Sequence, residues 1–342
     1  MAAADSRRSD AVRSARRSER APSGGWRTIA GKEFADHLGS IRFFVLLVVI
    51  AIAAIVPMYF VSTDISSAAP QLAGSPAVFL ALFVVGSESV GGVTTVAFAA
   101  LLVPLVGIAF GFDGINSERS QGTLSRLLAQ PIHRDDVVNG KFAAGIAVIT
   151  VMLAALVVLV TALGIVRLGI IPSVEELARV VVWLLSTVLY ASFWLAFALL
   201  LSVVIRGAAS AALVGFGSWL ALILFGQFLL PIVANVLFPP STTTFQGYAY
   251  DSTQSAAVFL RISPAVLYQD IVRAVMNPTT TSILGFANIG QAISDAERSQ
   301  ATLLTLDQSI LLVWPQIVIL IALTTAMFAL AYVLFLRQEV RA

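Results

Sequence analysis

The chain alternates between long apolar runs and short polar islands. Uncharged apolar runs of about 18 residues or more cross a bilayer as helices. Six stretches reach that length: Phe43–Val61, Thr94–Phe112, Phe142–Val166, Val180–Ile205, Ala208–Leu237 and Ser309–Leu336. None of them contains Asp, Glu, Lys or Arg. A soluble core accounts for one such run but not for six. The pattern predicts an all-α polytopic membrane protein with six transmembrane helices. Pro104 is expected to kink the second helix, and Trp314-Pro315 lies near the start of the sixth. Tyr59, Trp183, Trp314 and Tyr332 fall near run ends, where amphipathic rings anchor at the membrane interface.

The polar islands differ in kind. Residues 1–25 are Arg-rich with Ser, Ala, Pro and Gly. They offer too little apolar surface to fold, which predicts a disordered basic tail, solvated or touching anionic lipid. No apolar stretch follows directly, so a cleaved signal is not expected. Residues 26–41 place Trp26, Ile29, Phe34, Leu38 and Ile41 at helical spacing, predicting an interfacial helix in the headgroup plane. Residues 62–92 hold an apolar patch, Val78–Val85, too short to span, so it reads as a short or re-entrant helix. Glu88 beside it belongs at the outer interface, or contacts substrate. Residues 239–308 form the longest island, with Pro239-Pro240 and an amphipathic stretch Ile262–Met276 ended by Asn277-Pro278. This is the expected extracytoplasmic segment before the last helix.

Composition sharpens the picture. The chain has 342 residues, 58% hydrophobic and 12% charged, against about 25% charged in soluble domains. Cysteine is absent, and His37 and His133 are far apart, so no disulfide, thiolate or imidazole metal site is expected. With the N-terminus inside, 16 Lys and Arg fall on the inner side and 5 on the outer. That bias predicts a plasma-membrane protein with both termini cytoplasmic. The fifth run carries small residues at Ala208, Ala211, Ala212, Gly215 and Ser218, a stripe that lets helix backbones approach. It packs either within the subunit or between subunits.

The island at 113–141 holds the candidate function. Ser117 is placed to cap a helix and Gly122-Thr123 to weaken it. Leu124, Leu127 and Leu128 form an i, i+3, i+4 face, and Pro131 ends the helix. Arg134-Asp135-Asp136 opens a second helix with its acids at the positive end, running through Gly140-Lys141 into the third span. The result is a helix-turn-helix elbow on the inner membrane surface. Its leucine face either sinks among headgroups or plugs a groove on a cytosolic protein.

The stretch Ser117–Leu124, Leu127-Leu128, Gln130-Pro131, Arg134, Val137 and Gly140-Lys141-Phe142 resembles the signature loop of ABC-2 type transporter permeases. The likeness is nearest to permeases of multicopper-enzyme and nitrous-oxide-reductase maturation. The Trp26–Asp36 helix, six spans with a large segment before the last, and Ile262-Ser263-Pro264, Tyr268 and Asn277-Pro278 fit the same family. The resemblance implies a separate cytosolic ATPase subunit that carries ATP and Mg, and a second permease copy or paralogue. It also implies export, with the first and fifth spans at the subunit seam. Glu118, Arg119, Gly122, Leu124, Arg126, Leu127, Leu128, Pro131, Arg134, Gly140 and Lys141 would then couple to the ATPase. The chain itself is expected to bind no cofactor, to be no enzyme and to have no nucleic-acid partner. The phosphate loop G-x-x-x-x-G-K-[ST] is absent; Gly25 to Lys32 is one residue too long and Glu33 replaces the hydroxyl.

Other readings have less chemistry behind them. An ion-coupled carrier or channel usually carries ionisable residues inside its spans. A membrane enzyme would need a nucleophile or metal motif, and none is present. A non-transport scaffold uses the same fold without adding a motif.

Overall fold

The structure is a computed structural model, and it describes residues 25–67, 78–122, 133–239, 242–245, 248–251, 259–277, 287–288 and 304–338. The basic tail, apart from Gly25, therefore lies outside the described residues. So do Leu124, Arg126, Leu127, Leu128 and Pro131 of the elbow.

Helix α1 (Gly25–Leu38) is followed by a break at Gly39-Ser40 and then α2 (Ile41–Ser67). Ser40 Oγ donates to His37 O at 2.6 Å, drawing off a carbonyl that a continuing helix would use. Ile41 therefore starts α2 and stands exposed, rather than completing the apolar face of α1. The helix α1 is also packed against its neighbours. It packs along the start of α6 (Arg134–Leu168) through Ile29, with Phe34 and Leu38 against the core.

After α3 (Val78–Val84) come β1 (Val85–Gly86), a 3-10 turn at Glu88–Val90 and α4 (Thr95–Gly111). Thr94 caps α4 by accepting from Ala97 N at 3.0 Å. The short α5 (Asn116–Ser120) precedes α6, and α7 (Val174–Val204) follows it. The fifth expected span is not one straight helix. It divides into α8 (Ala208–Leu224) and α9 (Gly226–Leu237), which are bent by 61°. Gly226 stands at the break, and Pro231 inside α9 removes a backbone donor. The last helix is α11 (Leu306–Arg337). Counting the bent pair as one, the described residues hold up to 6 helices long and apolar enough to cross a membrane, in an all-α bundle.

Helix α7 is the centre of that bundle, packed against α4, α6 and α11. In a bilayer, apolar contact alone does not drive helices together, because lipid tails are equally apolar; close backbone packing does. Gly107 and Gly111 of α4 supply it. A Cβ at Gly107 would lie 2.6 Å from Ala191 O, and one at Gly111 would lie 2.8 Å from Leu195 O. Only glycine admits that approach.

The end where α6 turns into α7, opposite α5, is sealed by buried short elements. Helix α3 buries Phe79, Leu80, Leu82 and Phe83. Helix α10 (Pro264–Met276) starts at Pro264 and buries Leu267, Tyr268, Ile271 and Val275. Trp183 is no interface anchor: it is 2% exposed and its Nε1 donates to Tyr268 OH at 3.1 Å. Tyr59 and Trp314 do face outward. Two two-stranded ladders complete the described residues. Strand β1 pairs in parallel with β4 (Ala287–Asn288), and β2 (Thr242–Phe245) pairs antiparallel with β3 (Tyr248–Asp251).

Candidate functional site at the elbow

Glycine and lysine at the base of α6 organise the elbow. A Cβ at Gly140 would meet Ile29 Cγ2 at 2.7 Å and Trp26 O at 2.9 Å, so Gly140 is where α1 crosses α6 backbone to side chain. The next residue, Lys141, is buried and reaches two acids from two other elements. Its Nζ lies 2.7 Å from Glu33 Oε1 on α1 and 3.3 Å from Glu118 Oε1 on α5. All three side chains are largely hidden, at 7%, 14% and 15% exposure. An ammonium taken out of water at this depth needs such partners. One lysine thus ties α1, α5 and α6 together.

Neighbouring bonds extend the tie. Arg42 Nη1 sits 2.5 Å from Asp113 Oδ2, joining the start of α2 to the end of α4, and its guanidinium lies over Phe112. The first N–H groups of the elbow are not capped by Ser117. Instead Ile115 N and Asn116 N both donate to Ser202 Oγ of α7, at 3.0 and 3.1 Å. Arg119 donates to Val203 O at 3.2 Å and to Gln338 Oε1 at the end of α11. Arg134 Nη1 lies 3.5 Å from Gln338 O. Gly122 takes a left-handed φ of 65° and ends α5. Asp136 then accepts from His133 N at 3.3 Å, holding the first turn of α6.

These groups enclose a polar cavity of about 90 Å³, lined by Glu33, His37, Arg42, Asp113, Ser117 and Lys141 among others. Its paired charges leave no single-sign field for an ion. Burial pushes the His37 imidazole below its usual 6.5, against the pull of Glu33 and Asp113 and with the push of Lys141 and Arg42. The His37 ring stands edge-on to Phe110 at 5.2 Å. On the outer face of α1, Lys32 pairs with Asp36 at 3.2 Å, and that hydrogen bond raises the lysine. Among the described residues no group of three His, Asp or Glu side chains could hold a metal. The near-miss phosphate motif lies within helix α1, where its backbone N–H groups are turned to helix bonds rather than a phosphate cradle.

Of the other expected site residues, Ala211 and Gly215 are buried inside the chain. A Cβ at Gly215 would lie 3.0 Å from Ile108 Cγ2 of α4. The bulky Leu213, Val214 and Leu220 face outward from α8. At these two positions the small-residue stripe serves packing within the subunit. Glu88 is exposed in its 3-10 turn.

A polar group at the opposite end was not foreseen. Arg179, 1% exposed, donates to Val275 O at 2.8 Å, Ser309 Oγ at 3.3 Å and Leu304 O, and pairs with Glu175 at 2.9 Å. Glu176 accepts from Phe79 N at 3.0 Å, at the start of α3. The first turn of α7 therefore holds α3, α10 and the approach to α11. The signal for it was slight: an arginine one residue before an uncharged run.

The elbow links three helices through buried charge, which suits transmission of a movement. No curated protein matches the chain. A family model described as ABC-2 family transporter protein matches residues 27–340, nearly the whole described bundle, and the chain belongs to that family.

Proposed function

We propose that this chain is the membrane-spanning permease of an exporter driven by a separate ATPase subunit. The ATPase carries ATP and Mg, and two permeases, identical or paralogous, form the pore. The chain lies in the plasma membrane with both ends cytoplasmic, so that the elbow at 113–141 faces the ATPase. Leu124, Leu127 and Leu128 fill a groove on that partner, and Glu118 carries the movement to Lys141. From Lys141 it passes along α6 and through Glu33 into α1. The buried Lys141, shared by carboxylates of α1 and α5, is the observation that carries this reading. Arg119 and Arg134 take a different part, since they turn towards Gln338.

The likeness of the elbow motif to multicopper-enzyme and nitrous-oxide-reductase maturation permeases makes enzyme maturation the first role to test. Without cysteine, and with two separated histidines, this subunit is not the one that grips copper. The uncharged spans suit a small or apolar cargo.

The test is affinity purification of the chain from its native membrane, beside a Leu127→Asp variant, with assay of ATPase activity. An ATPase that accompanies the native chain and is lost with the variant supports the reading. Absence of any ATPase under mild detergent, with no effect of ATP on the complex, removes it.

A further inference from the structure

Two arginines, Arg119 and Arg134, meet at Gln338, and no ion pair among the described residues joins either of them to a carboxylate. Arg119 donates to Gln338 Oε1 and Val203 O, and Gln338 Nε2 donates to the same Val203 O at 2.7 Å. Arg134 reaches Gln338 O. Arg206, three residues beyond Val203, is exposed and near enough for its charge to act on Arg119. The ion pairs among the described residues use other cations: Lys32, Arg42, Lys141, Arg179 and Arg261. Like charges gathered this way repel and call for a counter-anion.

Unmet polar atoms, two of them donors, lie in the same corner. Arg119 Nη1 is buried without a hydrogen-bond partner, as are both side-chain polar atoms of Asn116, which is 2% exposed. Asn116 and Arg119 are three apart on α5 and share its face. Buried polar groups are rarely left so, and each costs free energy unless something satisfies it.

Position selects the anion. The corner sits where α7 ends at Val204 and α11 ends at Arg337, the depth at which a spanning helix meets headgroups. Val204 and Leu336 beside it are outward-facing apolar residues, so the patch is continuous with the lipid-facing surface. An acidic soluble protein would meet that apolar rim unfavourably, whereas a phospholipid covers rim and arginines at once. Guanidinium groups match phosphate oxygens in pairs, and basic pockets between membrane helices bind anionic headgroups.

We propose that Arg119 and Arg134 at Gln338, together with Arg206 just beyond the end of α7, form a site for the phosphate of an anionic phospholipid headgroup. The proposal rests on the membrane-spanning bundle and is independent of the ATPase coupling proposed above. Movement of the elbow would shift Arg119 and Arg134 relative to Arg206, so a bound headgroup would favour one arrangement of the elbow over another.

The test places the full chain in nanodiscs of phosphatidylcholine, with and without phosphatidylglycerol, and counts retained lipid by native mass spectrometry. The comparison is an Arg134→Gln, Arg206→Gln double variant, whose folding is checked by its thermal midpoint in phosphatidylcholine alone. The native chain retains phosphatidylglycerol over phosphatidylcholine, and the double variant loses that preference by roughly thirtyfold. Equal retention by both overturns the proposal. Inorganic phosphate that displaces the lipid at millimolar concentration reassigns the corner to a free anion and overturns it too. So does loss of a co-purifying ATPase in the double variant with lipid retention unchanged, since the arginines would then belong to a protein partner.

Discussion

Lys141 Nζ lies 2.7 Å from Glu33 Oε1, and this bond spans 108 positions of sequence to pin α1 onto α6. With Glu118 on the other side, one cation stands between two carboxylates that are each about one-seventh exposed. Lys141→Met would leave those acids facing each other without a counter-charge. Removing one partner of a buried ion pair costs about 3–5 kcal/mol. The variant should show a markedly lower thermal midpoint, and any ATPase coupling through the elbow should fall with it. A Glu33→Lys, Lys141→Glu exchange restores an ion pair between these two positions but sets a carboxylate beside Glu118, so it should recover only part of the stability. An exchange no better than Lys141→Met would mean that these charges do not act on one another.

The contact of α4 with α7 makes a second prediction. Gly107→Ala would set a methyl group 2.6 Å from Ala191 O and 2.9 Å from Leu195 N, both main-chain atoms that cannot swing aside. Gly111→Ala meets Leu195 O in the same way. Overpacking of this kind costs about 1–3 kcal/mol. Each variant should lower the melting temperature in detergent, and the pair together should reduce the yield of folded protein. A control at Gly217, where nothing lies within 4 Å, should change little. Equal behaviour of Gly107→Ala and Gly217→Ala would rule out the close approach.

How much of this was legible in the sequence depends on what lipid forbids. Spans are easy to read because a bilayer tolerates neither charge nor unpaired backbone, so Phe43–Val61 and Val180–Ile205 stand out by composition alone. The same rule hides the sites. Lys141 and Arg179 flank uncharged runs, and both read as loop charges until the neighbouring elements are seen to cover them. Their partners lie 108 and 96 residues away at Glu33 and Val275, a distance that no local pattern encodes. Gly140 was placed among coupling residues by motif, and no motif shows that it also admits Trp26 and Ile29 against α6. The break of the fifth run at Gly226 was hidden by a hydropathy that continues unbroken across it.

Arg179 yields a third prediction. Its guanidinium satisfies Val275 O, Leu304 O and Ser309 Oγ, while Glu175, half exposed, is solvated without it. Arg179→Met therefore orphans buried acceptors rather than a buried charge. Each such acceptor costs about 1–3 kcal/mol. The loss should be felt where α10 and α11 meet α7, so hydrogen exchange at Val275 and Met276 should rise more than at Lys141. Uniform exchange changes along the chain would count against a local clamp. Arg179→Lys, with a single ammonium in place of a fork of donors, should restore only part of the protection.

The cavity beside Lys141 gives the fourth. Burial holds the His37 imidazole below its usual 6.5, so the folded protein prefers the neutral ring. Glu33 and Asp113 favour the charged ring, Lys141 and Arg42 oppose it, and burial prevails. The sign follows from linkage. Above 6.5 the ring is neutral in both folded and unfolded chains, and His37 imposes no penalty. As pH falls below 6.5 the unfolded chain takes up the proton first, and stability drops until the folded ring is protonated as well. Thermal midpoints of the purified chain should therefore decline as pH falls below 6.5. His37→Gln, which cannot titrate, should flatten that decline while leaving the midpoint near pH 7.5 close to native. If the decline is as steep in His37→Gln as in the native chain, this imidazole does not set the pH response.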